Sequence, residues 1–171
     1  AMVLSLVLGV LLSAGGLVFS RTLLIWMGTP EDVLDDSALY LKIYFSGMLF
    51  SVLYNMASGI LNAAGNSKRS LLYLACASLT NIVLDLVTVG LLDMGVAGAA
   101  LATTVSQLVS CVLAIRYLLR SQADYRLQMR ELGIKKGMTG RILRIGLPTG
   151  IQNMVISFSN VLVQSSVNVY G

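Results

Sequence analysis

Asp85 places a carboxylate in the middle of an apolar run, and no other residue of this chain so plainly needs a chemical reason for its position. It lies about midway along residues 71–92, a stretch long enough, at about 1.5 Å per residue, to cross roughly 30 Å of hydrocarbon. An aspartate at the centre of a membrane helix costs about 2.5–3.5 kcal/mol on insertion. It is therefore expected to face protein or water, and its chemistry is that of a group neutralised by a proton or a cation. Ser78, Asn81, Asp85 and Thr88 follow helical spacing of three and four, which gathers their polar groups into one stripe. Two more stripes flank it. Tyr44, Gly47, Ser51, Asn55, Ser58 and Asn62 form one on the preceding apolar run, and Ala99, Thr103, Ser106 and Ser110 form another on the following run. Asn55 stands out in the first, although an interhelical bond of about 0.6 kcal/mol would account for it equally well. Thr103 has the alternative of bonding back to its own helix.

The elements that must position these residues are membrane helices. Hydrophobic residues make up 56% of the 171 and charged residues 12%, against about a quarter charged in a soluble domain. The mean hydropathy is +0.81. None of the runs alternates over about ten residues as a transmembrane β-barrel would, so the expected fold class is all-α, a polytopic α-helical membrane protein. Five spans are expected, over residues 2–27, 38–62, 71–92, 96–119 and 145–170.

The net charge of +4 is distributed by loop. Lys68 and Arg69 lie between the second and third spans, and Arg116, Arg120, Arg126, Arg130, Lys135, Lys136, Arg141 and Arg144 surround the connection between the fourth and fifth. Glu31, Asp32, Asp35, Asp36 and Asp93 occupy the alternate loops. Basic loops mark the cytoplasmic side, and two loops separated by two spans must share a side, so residues 63–70 and 121–140 are expected in the cytoplasm. This placement argues for a multi-pass protein of the plasma membrane (the cytoplasmic membrane if the source is bacterial), with lipid rather than nucleic acid beside its basic residues.

Within the first span Ser5, Gly9, Ser13 and Gly16 would let a neighbouring helix approach closely. Cys76 and Cys111 fall inside spans and read as packing residues. The basic segment 121–140 is interrupted by Gly133, Gly137 and Gly140 and reads as a linker, with Tyr125, Met129 and Leu132 suggesting a short amphipathic helix on the membrane surface. The fifth span is expected to take Pro148 in its first turn. It carries Gln152, Asn153, Ser157, Ser159, Asn160, Gln164, Ser165, Ser166 and Asn168, so polar a set that it is expected to line a cavity. The first span has no basic residues ahead of it and the last runs to Gly171 without a polar tail, a pattern expected of an interior piece of a longer protein.

Three motifs resemble the multidrug and toxic compound extrusion (MATE) transporters. They are Arg144-Ile145-Gly146-Leu147-Pro148-Thr149-Gly150-Ile151-Gln152-Asn153, Gly59-Ile60-Leu61-Asn62-Ala63-Ala64-Gly65 and Asn81-Ile82-Val83-Leu84-Asp85. The resemblance covers essentially the whole chain. It implies a twelve-helix fold in two six-helix lobes, of which the spans here are helices three to seven. Residues 1–120 would then belong to the N-terminal lobe as four membrane helices, 121–140 would be the cytoplasmic linker, and 141–171 would be the first helix of the C-terminal lobe. It also implies the cation-linked polar cluster of some family members, to which Asp85, Asn81, Asn55 and Thr103 correspond, a possible sodium site; Gln152, Asn153 and Asn160 are the cavity-lining candidates of the polar fifth span. The chain departs from the family at Arg69-Ser70, where a proline commonly follows the basic residue. The first two helices, which supply a further acidic residue, are missing, so this segment alone is not expected to transport.

The function expected is that of a secondary antiporter, exporting organic and often cationic small molecules in exchange for protons or sodium ions. Its partners would be that substrate, membrane lipid and the remaining helices of the same transporter, and no cofactor is expected beyond the coupling ion. A related flippase for lipid-linked oligosaccharides is the alternative within transport, but it would be expected to carry basic residues in its cavity, and those within these spans, Arg21, Lys42 and Arg116, lie near span ends. A non-transporting structural membrane protein is the alternative outside transport; it would have no evident need for a mid-membrane carboxylate. An enzyme is not expected, since the absence of histidine removes serine–histidine and histidine–metal arrangements.

Overall fold

A computed structural model of the chain describes residues 2–121 and 136–170. Its helices are α1 (Met2–Trp26), α2 (Glu31–Ala63), α3 (Ser67–Asp85), α4 (Gly95–Arg120) and α5 (Lys136–Tyr170), with a π-helical segment, Leu86–Leu91, continuing α3 without a break. Among the described residues α1, α2, α3 with its π segment, and α4 are long and apolar enough to cross a membrane. The fifth expected span is a helix of ample length but is not among these four, and its amides and hydroxyls are what separate it from them. Helices α1 to α4 form one compact unit, and α5 belongs to a second.

Small residues set the packing within the first unit. Ser5, Gly9, Gly16 and Ser20 are buried on α1, and α1 packs along α2. A Cβ at Gly9 would lie 2.7 Å from Leu49 Cδ1, and one at Gly16 would run into the ring of Phe45. The expected close-approach stripe is thus the α1–α2 seam. The α2–α4 seam has the same character, since a Cβ at Gly47 would come within 2.8 Å of Thr104, whose hydroxyl donates to the carbonyl of Ile43 at 3.2 Å. Between α1 and α2 the chain turns through Gly28 (φ +72) to Pro30, and Glu31 and Asp32 occupy the first turn of α2, where the helix dipole favours acids. Arg21 and Asp35 pair at 3.5 Å across this turn. Their side chains are 63% and 87% exposed, so the pair contributes at most about 1 kcal/mol.

The opposite, basic end is fastened more firmly. Ala57, Leu61, Tyr73, Ala114 and Leu118 form a buried cluster joining α2, α3 and α4. The α2–α3 turn uses Gly65 (φ +75) and is tied to α4 through Asn66, whose Nδ2 donates to the Tyr117 hydroxyl at 2.9 Å. The Arg69 guanidinium lies 5.2 Å from the centroid of the Tyr117 ring, which is also tilted against Tyr73.

Two sequence expectations change. Asp85 is not midway along its span: α3 starts at Ser67, which puts Asp85 about 27 Å from the basic end and about 9 Å from the end of the π segment, at about 1.5 Å per residue. Pro148 is not in a first turn, because α5 begins at Lys136 and Pro148 lies inside it. The ring removes an amide donor there, and the adjacent Thr149 hydroxyl donates to the carbonyl of Ile145 at 2.9 Å. The surface helix expected around Tyr125, Met129 and Leu132 lies outside the described residues.

Candidate functional site

Helices α2, α3 and α4 enclose a polar cleft of about 270 Å³. Asn55 reaches it from α2, Ser78 and Asn81 from α3, and Thr103 and Gln107 from α4. Three of the four residues singled out for cation coupling therefore share one space. It forms because α2 and α3 each pack on α4 more extensively than on each other, leaving a gap between them. The fourth residue, Asp85, lines a neighbouring and mostly apolar cleft of about 520 Å³ with Ile82, Leu86, Val89, Gly90 and Ala99. The two spaces adjoin, since Asn81 and Asp85 are one turn apart on α3, and Thr103 and Ala99 are one turn apart on α4.

Two side-chain atoms at this junction have no hydrogen-bond partner among the described residues, although both are buried: Asn81 Nδ2 and Asp85 Oδ1. A buried polar group left unpaired costs about 1–3 kcal/mol, and more when charged. Such a pair persists where it has something to bind. The carboxylate can take a proton or face a cation, while the Asn81 amide can donate through its NH2 or ligate through its carbonyl oxygen. Thr103 donates to the carbonyl of Ala99 at 3.0 Å, the back-bond its sequence context allowed. Its oxygen keeps accepting capacity toward the cleft. Among the described residues no three His, Cys, Asp or Glu side chains gather as a metal cluster. The donor set here is one carboxylate among neutral oxygens.

The backbone departs from α-helix immediately after Asp85. Thr88 Oγ1 donates to the carbonyl of Leu84 at 2.8 Å, the carbonyl that the Thr88 amide would take in an α-helix. Gly90 adds conformational freedom in the same segment. Widened turns of this kind are rare and recur at functional sites.

Tyr54 and Gln107 are cleft residues that the sequence reading did not single out. Both were within reach of its spacing rule, since Gln107 stands four residues after Thr103 and Tyr54 three after Ser51. Ser106 and Ser110, which were singled out, are buried with their hydroxyls bonded to carbonyls of their own helix, Thr103 and Gln107. Gln152, Asn153 and Asn160 lie along α5, in the second unit.

The MatE family model matches residues 1–87 of this chain. Among curated proteins the chain is 34% identical, over 159 residues, to the probable multidrug resistance protein YpnP of Bacillus subtilis, an alignment covering 92% of this chain and 35% of that protein. It is 29% identical over 150 residues to the probable multidrug resistance protein NorM of Thermotoga maritima, covering 82% of this chain and 32% of NorM. Among solved structures, a MATE crystal structure in the bent conformation superposes with a TM-score of 0.85 at 29% identity, covering 92% of this chain and 35% of that one. The chain thus spans about a third of the length of the relatives it matches.

Proposed function

Because this chain belongs to the MatE family, we propose that it is part of a secondary antiporter that exports organic, often cationic compounds in exchange for protons or sodium ions. The names of its multidrug-resistance relatives support the substrate class. The observation that carries the coupling is the unpartnered carboxylate oxygen of Asp85 beside the unpartnered amide of Asn81, at the start of the π segment. In this reading Asp85 is the coupling group and Asn55, Asn81 and Thr103 supply neutral oxygens and hydrogen bonds around it. Neutralising the carboxylate removes the need to solvate a charge at the α3–α4 junction. Binding there then favours whichever arrangement of the helices holds the neutral form best.

Helices α1 to α4 take their place in an N-terminal lobe, residues 121–140 as the cytoplasmic linker, and residues 141–171 as the first helix of a C-terminal lobe. Gln152, Asn153 and Asn160 face the substrate cavity. The Lys68–Arg69 end faces the cytoplasm of a cell whose plasma membrane holds the protein, and no cofactor beyond the coupling ion takes part. Transport by the complete protein in vesicles, under a pH gradient and a sodium gradient applied separately, tests the reading. Efflux of an organic cation driven by one of the two gradients is expected. Uptake or release indifferent to both would contradict it.

A further inference from the structure

An ion held at Asp85 is about 9 Å from the acidic end of its helix and about 27 Å from the basic end, at about 1.5 Å per residue. An antiporter must nevertheless release its coupling ion at the basic, cytoplasmic end. Apolar packing would bar that passage, yet from Asn81 to the basic end polar side chains stand on both walls of the gap between α2 and α3. Below the Asn81 cleft lies a second cleft of about 580 Å³, with Asn55, Ser58, Asn62, Ser67, Lys68 and Ser70 on its walls. The two clefts share Tyr54, Asn55 and Leu74, so they meet at one waist. At the waist the Tyr54 hydroxyl of α2 donates to the carbonyl of Ser70 on α3 at 3.1 Å, and one turn on, the hydroxyls of Ser58 and Ser70 bond to each other.

We infer that this crevice between α2 and α3 is the route by which the coupling ion leaves Asp85 for the cytoplasm, with Tyr54 as the latch at its waist. The inference rests on the coupling role proposed for Asp85. Hydroxyls and amides along both walls replace the hydration of a passing cation or hold the waters that relay a proton. Closed, the Tyr54 and Ser58 bonds hold α2 to α3 beside the buried Ala57, Leu61 and Tyr73 cluster. Opened, they join the two clefts into one wet passage.

The test is thiol accessibility in the full-length transporter, with Cys76→Ala and Cys111→Ala removing the native thiols. Single cysteines are introduced as Asn62→Cys at the mouth, Ser78→Cys beyond the waist and Leu79→Cys on the exposed apolar face of the same helix. A small charged thiosulfonate reagent is applied to inside-out vesicles, since a thiol reacts as thiolate only where water reaches it. Asn62→Cys and Ser78→Cys are expected to react and Leu79→Cys to remain unmodified, with modification at Ser78→Cys abolishing ion-driven efflux. Tyr54→Phe, which keeps the ring and loses the latch bond, is expected to speed modification at Ser78→Cys. A Ser78→Cys protein that reacts no faster than Leu79→Cys would overturn the route. So would a fully modified one that transports at the unmodified rate. Normal ion-driven efflux by Asp85→Asn, with Ser78→Cys still reactive and still blocking, would overturn the coupling role of Asp85 and not the crevice.

Discussion

Asp85 and Asn81 stand one helical turn apart, each with a buried polar atom that no described neighbour satisfies. Helix packing alone gives no reason to keep both, since replacing a buried, unpaired polar group by an apolar one is neutral or stabilising. This yields a prediction that separates function from packing. In the full-length protein Asn81→Ala should leave thermal stability in detergent unchanged or raised. The ion concentration for half-maximal transport should rise by about tenfold, the equivalent of about 1.4 kcal/mol of lost hydrogen bonding or ligation. Loss of stability with unchanged ion dependence would return Asn81 to a structural role. Much of this was legible from residue types, because helical spacing is enough to put residues 78, 81, 85 and 88 on one face. The division between two clefts was not. A spacing of three and four averages less than the 3.6 of an α-helix, so the stripe drifts around α3. The backbone then changes to wider turns directly after Asp85.

At the scale of elements, the seams are governed by what small residues allow. The stripe of Ser5, Gly9 and Gly16 announced a close neighbour for α1, and α2 is that neighbour. Gly47 was read as part of a polar stripe, but its lack of a side chain is what admits Thr104 and the bond from that hydroxyl to the carbonyl of Ile43. Gly47→Ala should therefore destabilise the α2–α4 seam by about 1–3 kcal/mol, the ordinary cost of overpacking. The melting temperature of the detergent-solubilised transporter measures it, and an unchanged value would show that the seam can yield. The π segment was illegible for a different reason. Side-chain periodicity reports which face a residue occupies, not which carbonyl its amide chooses, and the bond from Thr88 to the Leu84 carbonyl appears only in three dimensions. Pro148 likewise suggested a helix start, but α5 runs through it from Lys136.

On the scale of the whole molecule, α1 to α4 are a compact unit that spans, with α5, about a third of its relatives' length. Its basic end is fixed by the Leu61, Tyr73 and Leu118 cluster and by the Asn66 and Arg69 contacts to Tyr117. At the other end, the π segment and the unpaired Asp85 oxygen leave the backbone freer to answer a change in charge. A firm basic end below a more responsive acidic end is the division of labour that the proposed ion coupling requires. The most direct measurement is made on the complete transporter carrying Asp85→Asn, reconstituted in vesicles beside the wild type. Asparagine keeps the size and hydrogen bonding of the neutral acid but cannot titrate or face a cation with a full charge. The account predicts that ion-driven efflux is lost while binding of the organic substrate and membrane expression are retained. Efflux at the wild-type rate, with normal expression, would contradict it.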